Sequence, residues 1–100
     1  MPKFIMLSTL GPEGMLRLRE DPTRLKEVNS EVEDMGVKVL EQFAVLGMYD
    51  FVNILEAPDE ATMAKVAVTL GARGTLKTHT LTVLPIDDFI AALGAGPDAG

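Results

Sequence analysis

Apolar residues fall into two rhythms along this chain, one with the period of a strand and one with that of a helix. Phe4, Ile5, Met6 and Leu7 are consecutive within Lys3 to Leu10. A short unbroken run of this kind suits a strand covered on both faces. Gly11-Pro12-Glu13-Gly14 interrupts it, and Met15 to Glu20 then carries the apolar content of one or two helical turns. Asp21-Pro22 is a second start signal, Asp as N-cap and Pro at the first helical position. Leu25, Val28, Val32 and Met35 recur at spacings of three and four, the stripe of an amphipathic helix, and Gly36 supplies its stop.

The next stretch changes period. In Val37 to Leu46, Val37, Val39, Phe43 and Val45 share one side with Glu41. Leu40, Ala44 and Leu46 share the other with Lys38 and Gln42. This predicts a strand, a tight Gly47-Met48 turn and a second strand from Tyr49 to Glu56, together a hairpin. Asp59 is a suitable N-cap for the following helix, and Gly71 and Gly74 can stop it. Ala61, Ala64, Ala67 and Val68 form a small-residue face that would let this helix lie close to a sheet. Thr75 to Leu84 is rich in β-branched residues and predicts a strand that Pro85 ends. Ile86 to Leu93 predicts a short last helix, and residues 95–100 a disordered tail.

The order is strand, helix, strand, strand, helix, strand, with a terminal helix. It predicts one α+β domain over residues 1–94, ferredoxin-like (βαββαβ), with a four-stranded antiparallel sheet and the helices on one face. The strands offer apolar side chains on both parities, and helices on one face cannot cover both. An open apolar face of several hundred Å² is unusual for a monomer, so the pattern predicts a homodimer or higher oligomer that buries it.

Composition narrows the partners. The chain has 100 residues and a net charge of −6, with no cluster of Lys or Arg to reverse it locally. This disfavours nucleic acid and anionic membrane surfaces. There is no cysteine, hence no disulfide, thiolate metal site or Cys nucleophile. The opening MPKFIMLSTLG lacks the longer apolar core and cleavage site of a signal peptide, which predicts the cytoplasm. No apolar run approaches the roughly 18–20 residues of a membrane span.

At Gly47-Met48-Tyr49-Asp50 the chain resembles the GYD-domain family, small proteins named for a Gly-x-Tyr-Asp element and grouped with dimeric α+β barrels. The likeness runs forward through Phe51-Val52-Asn53-Ile54, Ala57-Pro58-Asp59, Gly74 and Thr78-His79-Thr80-Leu81. Backward it takes in Thr9, Gly14, Pro22 and Arg24. His79 departs from the polar residue expected at its position, and Leu10-Gly11-Pro12-Glu13 from the usual Thr-to-Gly spacing. The resemblance implies a dimeric α+β barrel assembly and brings no activity with it.

Four residues are candidates for binding chemistry: Tyr49, Asp50, Lys77 and His79. A Tyr hydroxyl and a carboxylate beside a turn can hold or polarise a small molecule. Adjacent strand residues point to opposite faces, however, which favours Tyr49 as packing and Asp50 as an acceptor for turn backbone. Lys77 and His79 share a strand face and could bind an anion or supply a base, or could guard a sheet edge. No catalytic residue, metal site or cofactor follows from the pattern, and a single His excludes a multi-histidine site within one chain. The reading is a non-enzymatic oligomeric α+β-barrel protein that holds a small molecule between helices and sheet. A cofactor-free monooxygenase or isomerase and a ligand-sensing regulatory module are the alternatives. Whether Tyr49, Lys77 and His79 converge on a cavity discriminates these readings; a cavity without them, or no cavity, leaves the interaction protein.

Overall fold

The computed structural model describes residues 1–94. Its elements are β1 (Lys3–Leu10), α1 (Pro12–Glu20), α2 (Arg24–Asp34), β2 (Lys38–Ala44), β3 (Phe51–Glu56), α3 (Glu60–Gly71), β4 (Leu76–Thr82) and α4 (Ile86–Gly94). The strands form one antiparallel sheet in the order β2-β3-β1-β4. This is the ferredoxin-like α+β arrangement, with β1 and β3 in the centre. The tail at 95–100 lies outside the described residues.

Strand parity decides what each face carries. Phe4, Met6 and Ser8 of β1 are buried, and across from them lie Leu55, Asn53 and Phe51 of β3. Thr82, Thr80 and Thr78 of β4 lie across on the other side. That face packs on the helices. Its core joins Phe4, Met6 and Leu55 to Val32 and Val37 around α2 and to Met63, Val66 and Leu70 of α3. Burial of a side chain such as Phe4 or Met63 stabilises by about 1.5–3 kcal/mol. Ile5, Leu7, Val52 and Ile54 occupy the opposite face, and they make up the second apolar set.

Several local expectations are met by specific bonds. Asp59 caps α3, its Oδ1 accepting from the Thr62 N–H at 2.7 Å, and hydrogen bonding from the Thr62 side chain, then from its N–H, holds the Asp59 carboxyl below its ordinary range. Gly36 adopts φ +95° and closes α2 in a Schellman motif. The Gly36 N–H donates to Glu33 O at 2.9 Å and the Val37 N–H to Val32 O at 3.3 Å. Val32 and Val37 are both in the core beneath it.

Other expectations are corrected. β1 does end before Gly11, but the helix expected from Met15 starts at Pro12, so Gly14 lies buried inside α1. A Cβ at Gly14 would stand 2.5 Å from the Thr75 carbonyl oxygen, so glycine is there for close approach. Asp21 is not the residue immediately before α2. It accepts from the Thr23 N–H at 3.2 Å and from the Thr23 hydroxyl, in a turn that leads into the helix. The hairpin turn is not two residues, because β2 stops at Ala44 and β3 starts at Phe51. Residues 45–50 form the loop, closed by a Val45 N–H to Asp50 O bond of 2.9 Å, with Gly47 at φ +116°.

Two corrections concern which side a residue faces. Ala61, Ala64 and Val68 of α3 point outward, Ala67 packs at the margin of the core, and Met63, Val66 and Leu70 are buried. The greater apolar area of the bulky side chains outweighs the closer approach that alanines permit. In β2 the pairing runs Val39 to Leu55 and then Glu41 to Ile54, leaving Leu40 as an inserted residue. This β-bulge reverses parity along the strand. Gln42 and Ala44 follow Val39 onto the helix-covered face, while Glu41 and Phe43 turn to the open one.

Candidate functional site

The open sheet face carries the row Phe43, Val52, Leu7 and His79, taken across the four strands in order. Glu41, Ile54, Ile5 and Leu81 form the next row, with the one carboxylate on the β2 edge. Phe43 and Leu81 are each half exposed. Two of the residues singled out in the sequence meet here. The Tyr49 and His79 rings pack edge to face with centroids 5.7 Å apart and an interplanar angle of 71°. Lys77 sits across from Thr9 on the same face of β4, an edge strand, where lysine opposes further strand pairing. The face is thus apolar in the middle, with an aromatic pair and a lysine toward one end.

Asp50 does something different. Its Oδ2 accepts the Leu10 N–H at 2.8 Å, and its own N–H donates to Ser8 O at 2.9 Å. The Tyr-Asp pair therefore divides its work, the ring on His79 and the carboxylate on the end of β1. Asp50→Ala should destabilise the chain by about 1–3 kcal/mol, because a partly buried N–H loses its acceptor. Asp50→Asn should retain much of the bond through its amide oxygen. Urea titration of both variants measures this, and an unchanged midpoint for Asp50→Ala would refute it.

A cavity of about 270 Å³ lies on the other side, between the sheet and α1, α2 and α3. Its walls include Leu18, Leu25, Val28, Phe51 and Leu76, and its polar lining includes Ser8, Asn29, Gln42, Asn53 and Thr78. Tyr49, Asp50, Lys77 and His79 are not among the residues that line it. The convergence expected of an enzyme is not made by Tyr49, Lys77 and His79. The Asn29 and Gln42 side chains bond each other twice, at 2.8 and 3.1 Å, and tie α2 to β2. Asn53 Oδ1 is buried with no hydrogen-bond partner among the described residues. Arg17 pairs with Glu13 at 2.9 Å. Arg73 bonds Glu31, holding that carboxyl below its ordinary range, and its own pKa is raised in turn.

The sequence predicts a ligand space between helices and sheet and does not point to the arginines and amides that line this cavity. Their signal was topological. Arg73 lies 49 residues beyond Arg24 in sequence, and only the fold brings it to the cavity that Arg17 and Arg24 also line. Among the described residues, no three His, Asp or Glu side chains come together in a way that could hold a metal ion. No described helix is long and apolar enough to cross a membrane.

The last element adds a second apolar surface. Ile86, Phe89, Ile90 and Leu93 lie at the spacing of one helical face on α4, and all are exposed. No residue of α4 is buried. The radius of gyration is 16.2 Å, against about 13 Å for a compact chain of this length.

The GYD domain model matches residues 4–93, from β1 through α4. The chain belongs to the GYD domain family. This GYD chain is 53% identical over 94 residues to a protein of Thermus thermophilus. That protein is named "Glutamine synthetase and cystathionine beta-lyase binding protein". The alignment covers 93% of this chain and 99% of the relative. No solved structure matches the GYD chain. The residues from Gly47 to Asp50, where the resemblance begins, form the loop end at which Tyr49 and Asp50 are fixed.

Proposed function

We propose that this GYD chain is a homo-oligomeric, non-enzymatic binding protein of the cytoplasm, and that its partners are glutamine synthetase and cystathionine beta-lyase. The observation that carries the reading is the apolar sheet face that the helices leave open, together with the apolar stripe of α4. A stable interface needs roughly 800 Å² from each partner. Phe43, Val52, Leu7, Ile54 and Ile5, with an added helix, supply apolar side chains of the type such an interface buries. The open sheet face pairs with its counterpart on a second copy. The name of the Thermus relative, at 53% identity over almost its full length, supports protein partners.

The test is direct. Purified chain is mixed with glutamine synthetase, and separately with cystathionine beta-lyase, from its own source, and the mixtures are followed by analytical ultracentrifugation. A faster-sedimenting boundary containing both proteins is expected for each enzyme. Separate boundaries at tens of micromolar would refute the partner assignment.

The cavity supports a further part of the reading, namely that a small molecule sits between sheet and helices. Its volume is at the small end of ligand sites, and it combines apolar walls with a few convergent polar groups.

A further inference from the structure

The charge around the cavity runs against the charge of the chain. Fifteen Asp and Glu oppose nine Lys and Arg overall. Yet three of the four arginines, Arg17, Arg24 and Arg73, line this one space, with Glu13 as its single acidic residue. Their convergence follows from topology. α1 leaves the end of β1 at Leu10, and the segment after α3 enters β4 at Leu76, which pairs with Leu10. The start of α2 lies over Ala44 and Phe51, at the same end of the sheet. The backbones of all three are therefore at one end of the sheet, and the Arg73 guanidinium reaches from there to Glu31, seven residues along α2 from Arg24.

Two of them are already neutralised, Arg17 by Glu13 and Arg73 by Glu31. Arg24 has no carboxylate within 4.0 Å among the described residues. The deeper end is polar in another way. Asn53 lies across from Met6, four residues inward from Leu10 along β1, about 13 Å at the rise of a strand. Its Oδ1 is buried and lacks a donor, and buried Ser8 lines the path between. A buried acceptor left without a partner is costly and calls for a donor from outside the chain.

We propose that the cavity binds a small carboxylate whose apolar chain ends in a hydrogen-bond donor. Arg24 takes the carboxylate through its planar fork, the leucine and valine walls take the chain, and Asn53 Oδ1 takes the donor. One unpaired guanidinium matches a single negative charge, so a monoanionic carboxylate fits better than a phosphate dianion. The inference rests on the reading that the cavity is a ligand site, and it names the ligand's chemistry.

The test uses three probes of one length on the full chain: 6-hydroxyhexanoate, hexanoate and 1,6-hexanediol. Titration calorimetry measures affinity, and ¹H–¹⁵N NMR locates the site. We expect 6-hydroxyhexanoate to bind with shifts at Ser8, Val28 and Asn53. Hexanoate should bind several-fold more weakly and the diol at least tenfold more weakly. Arg24→Gln, at an exposed position that leaves the core intact, should remove the advantage of 6-hydroxyhexanoate over the diol. Equal binding of the diol to the unaltered chain, or an undiminished advantage in Arg24→Gln, overturns the carboxylate assignment while leaving a ligand site. Absence of heat and of shifts with all three probes, or shifts confined to the open sheet face, overturns the ligand site as well. The association with protein partners is measured separately and is untouched by either result.

Discussion

Gly14→Ala should lower stability by roughly 1–3 kcal/mol, although alanine is the better helix former by about 1 kcal/mol. The new methyl would stand 2.5 Å from the Thr75 carbonyl oxygen and 3.3 Å from a Leu10 methyl. The leucine can rotate away. The carbonyl cannot easily do so, since it is backbone and accepts the Gly11 N–H at 3.0 Å. Relief must come from moving α1 off the start of β4, which opens the packing above Leu10. Gly71 is the matched control, because nothing lies within 4 Å of a Cβ there. Gly71→Ala should be neutral or mildly stabilising. Urea denaturation of both variants checks the pair, and a Gly14→Ala chain at least as stable as the original would show that the close approach is not required.

The second large effect is on assembly. Under the proposed face-to-face assembly, Val52→Lys should yield a 10.8-kDa monomer that keeps its secondary structure. Val52 lies in the middle of the open face, flanked by Leu7 and Phe43. In a monomer the lysine can reach water along the surface, so folding is spared. In a face-to-face assembly its charge is buried without a partner. A penalty of about 3 kcal/mol corresponds to a loss of roughly a hundredfold in association. Light scattering on the eluting peak, with circular dichroism as the folding control, measures both. A Val52→Lys chain with the mass of the unaltered one would place the interface elsewhere and leave the sheet face unexplained.

The parts of this structure that were legible in the sequence are those set by local chemistry. Asp59 before a helical run and Gly36 after one are read correctly, because a cap acts within a few residues of itself. The ferredoxin-like order also follows, since it depends only on which segments are strands and which are helices. What was not legible depends on a second segment. Gly14 has the same residue type whether it ends an element or admits a neighbour, and the neighbour is Thr75. The outward turn of Ala61 and Ala64 depends on the competing bulk of Met63, Val66 and Leu70. The site behaves likewise. Tyr49 and Asp50 could be assigned to separate tasks from parity alone, but not the His79 ring that packs on one or the Leu10 N–H that donates to the other. The apolar spacing of Ile86, Phe89, Ile90 and Leu93 is visible in the sequence, yet that α4 finds no cover among the described residues is not.

Leu40 has a consequence that reaches both sides of the molecule. Were it drawn into regular pairing, strict alternation from Val39 would send Gln42 outward and Phe43 inward. The amide that tethers α2 beside the cavity would then be displaced by a phenyl ring, and the outer surface would exchange an aromatic side chain for a polar one. Cavity lining and outer surface are therefore not separately adjustable along β2. Changes of length here are felt unequally. Loss of the Leu40 codon would set Glu41 beside Val39 in the pairing both already hold, and each surface would survive. Gain of a codon between Glu41 and Gln42, with no second bulge to absorb it, would exchange both surfaces at once. Descendants of this chain can shorten β2 at that point far more readily than they can lengthen it.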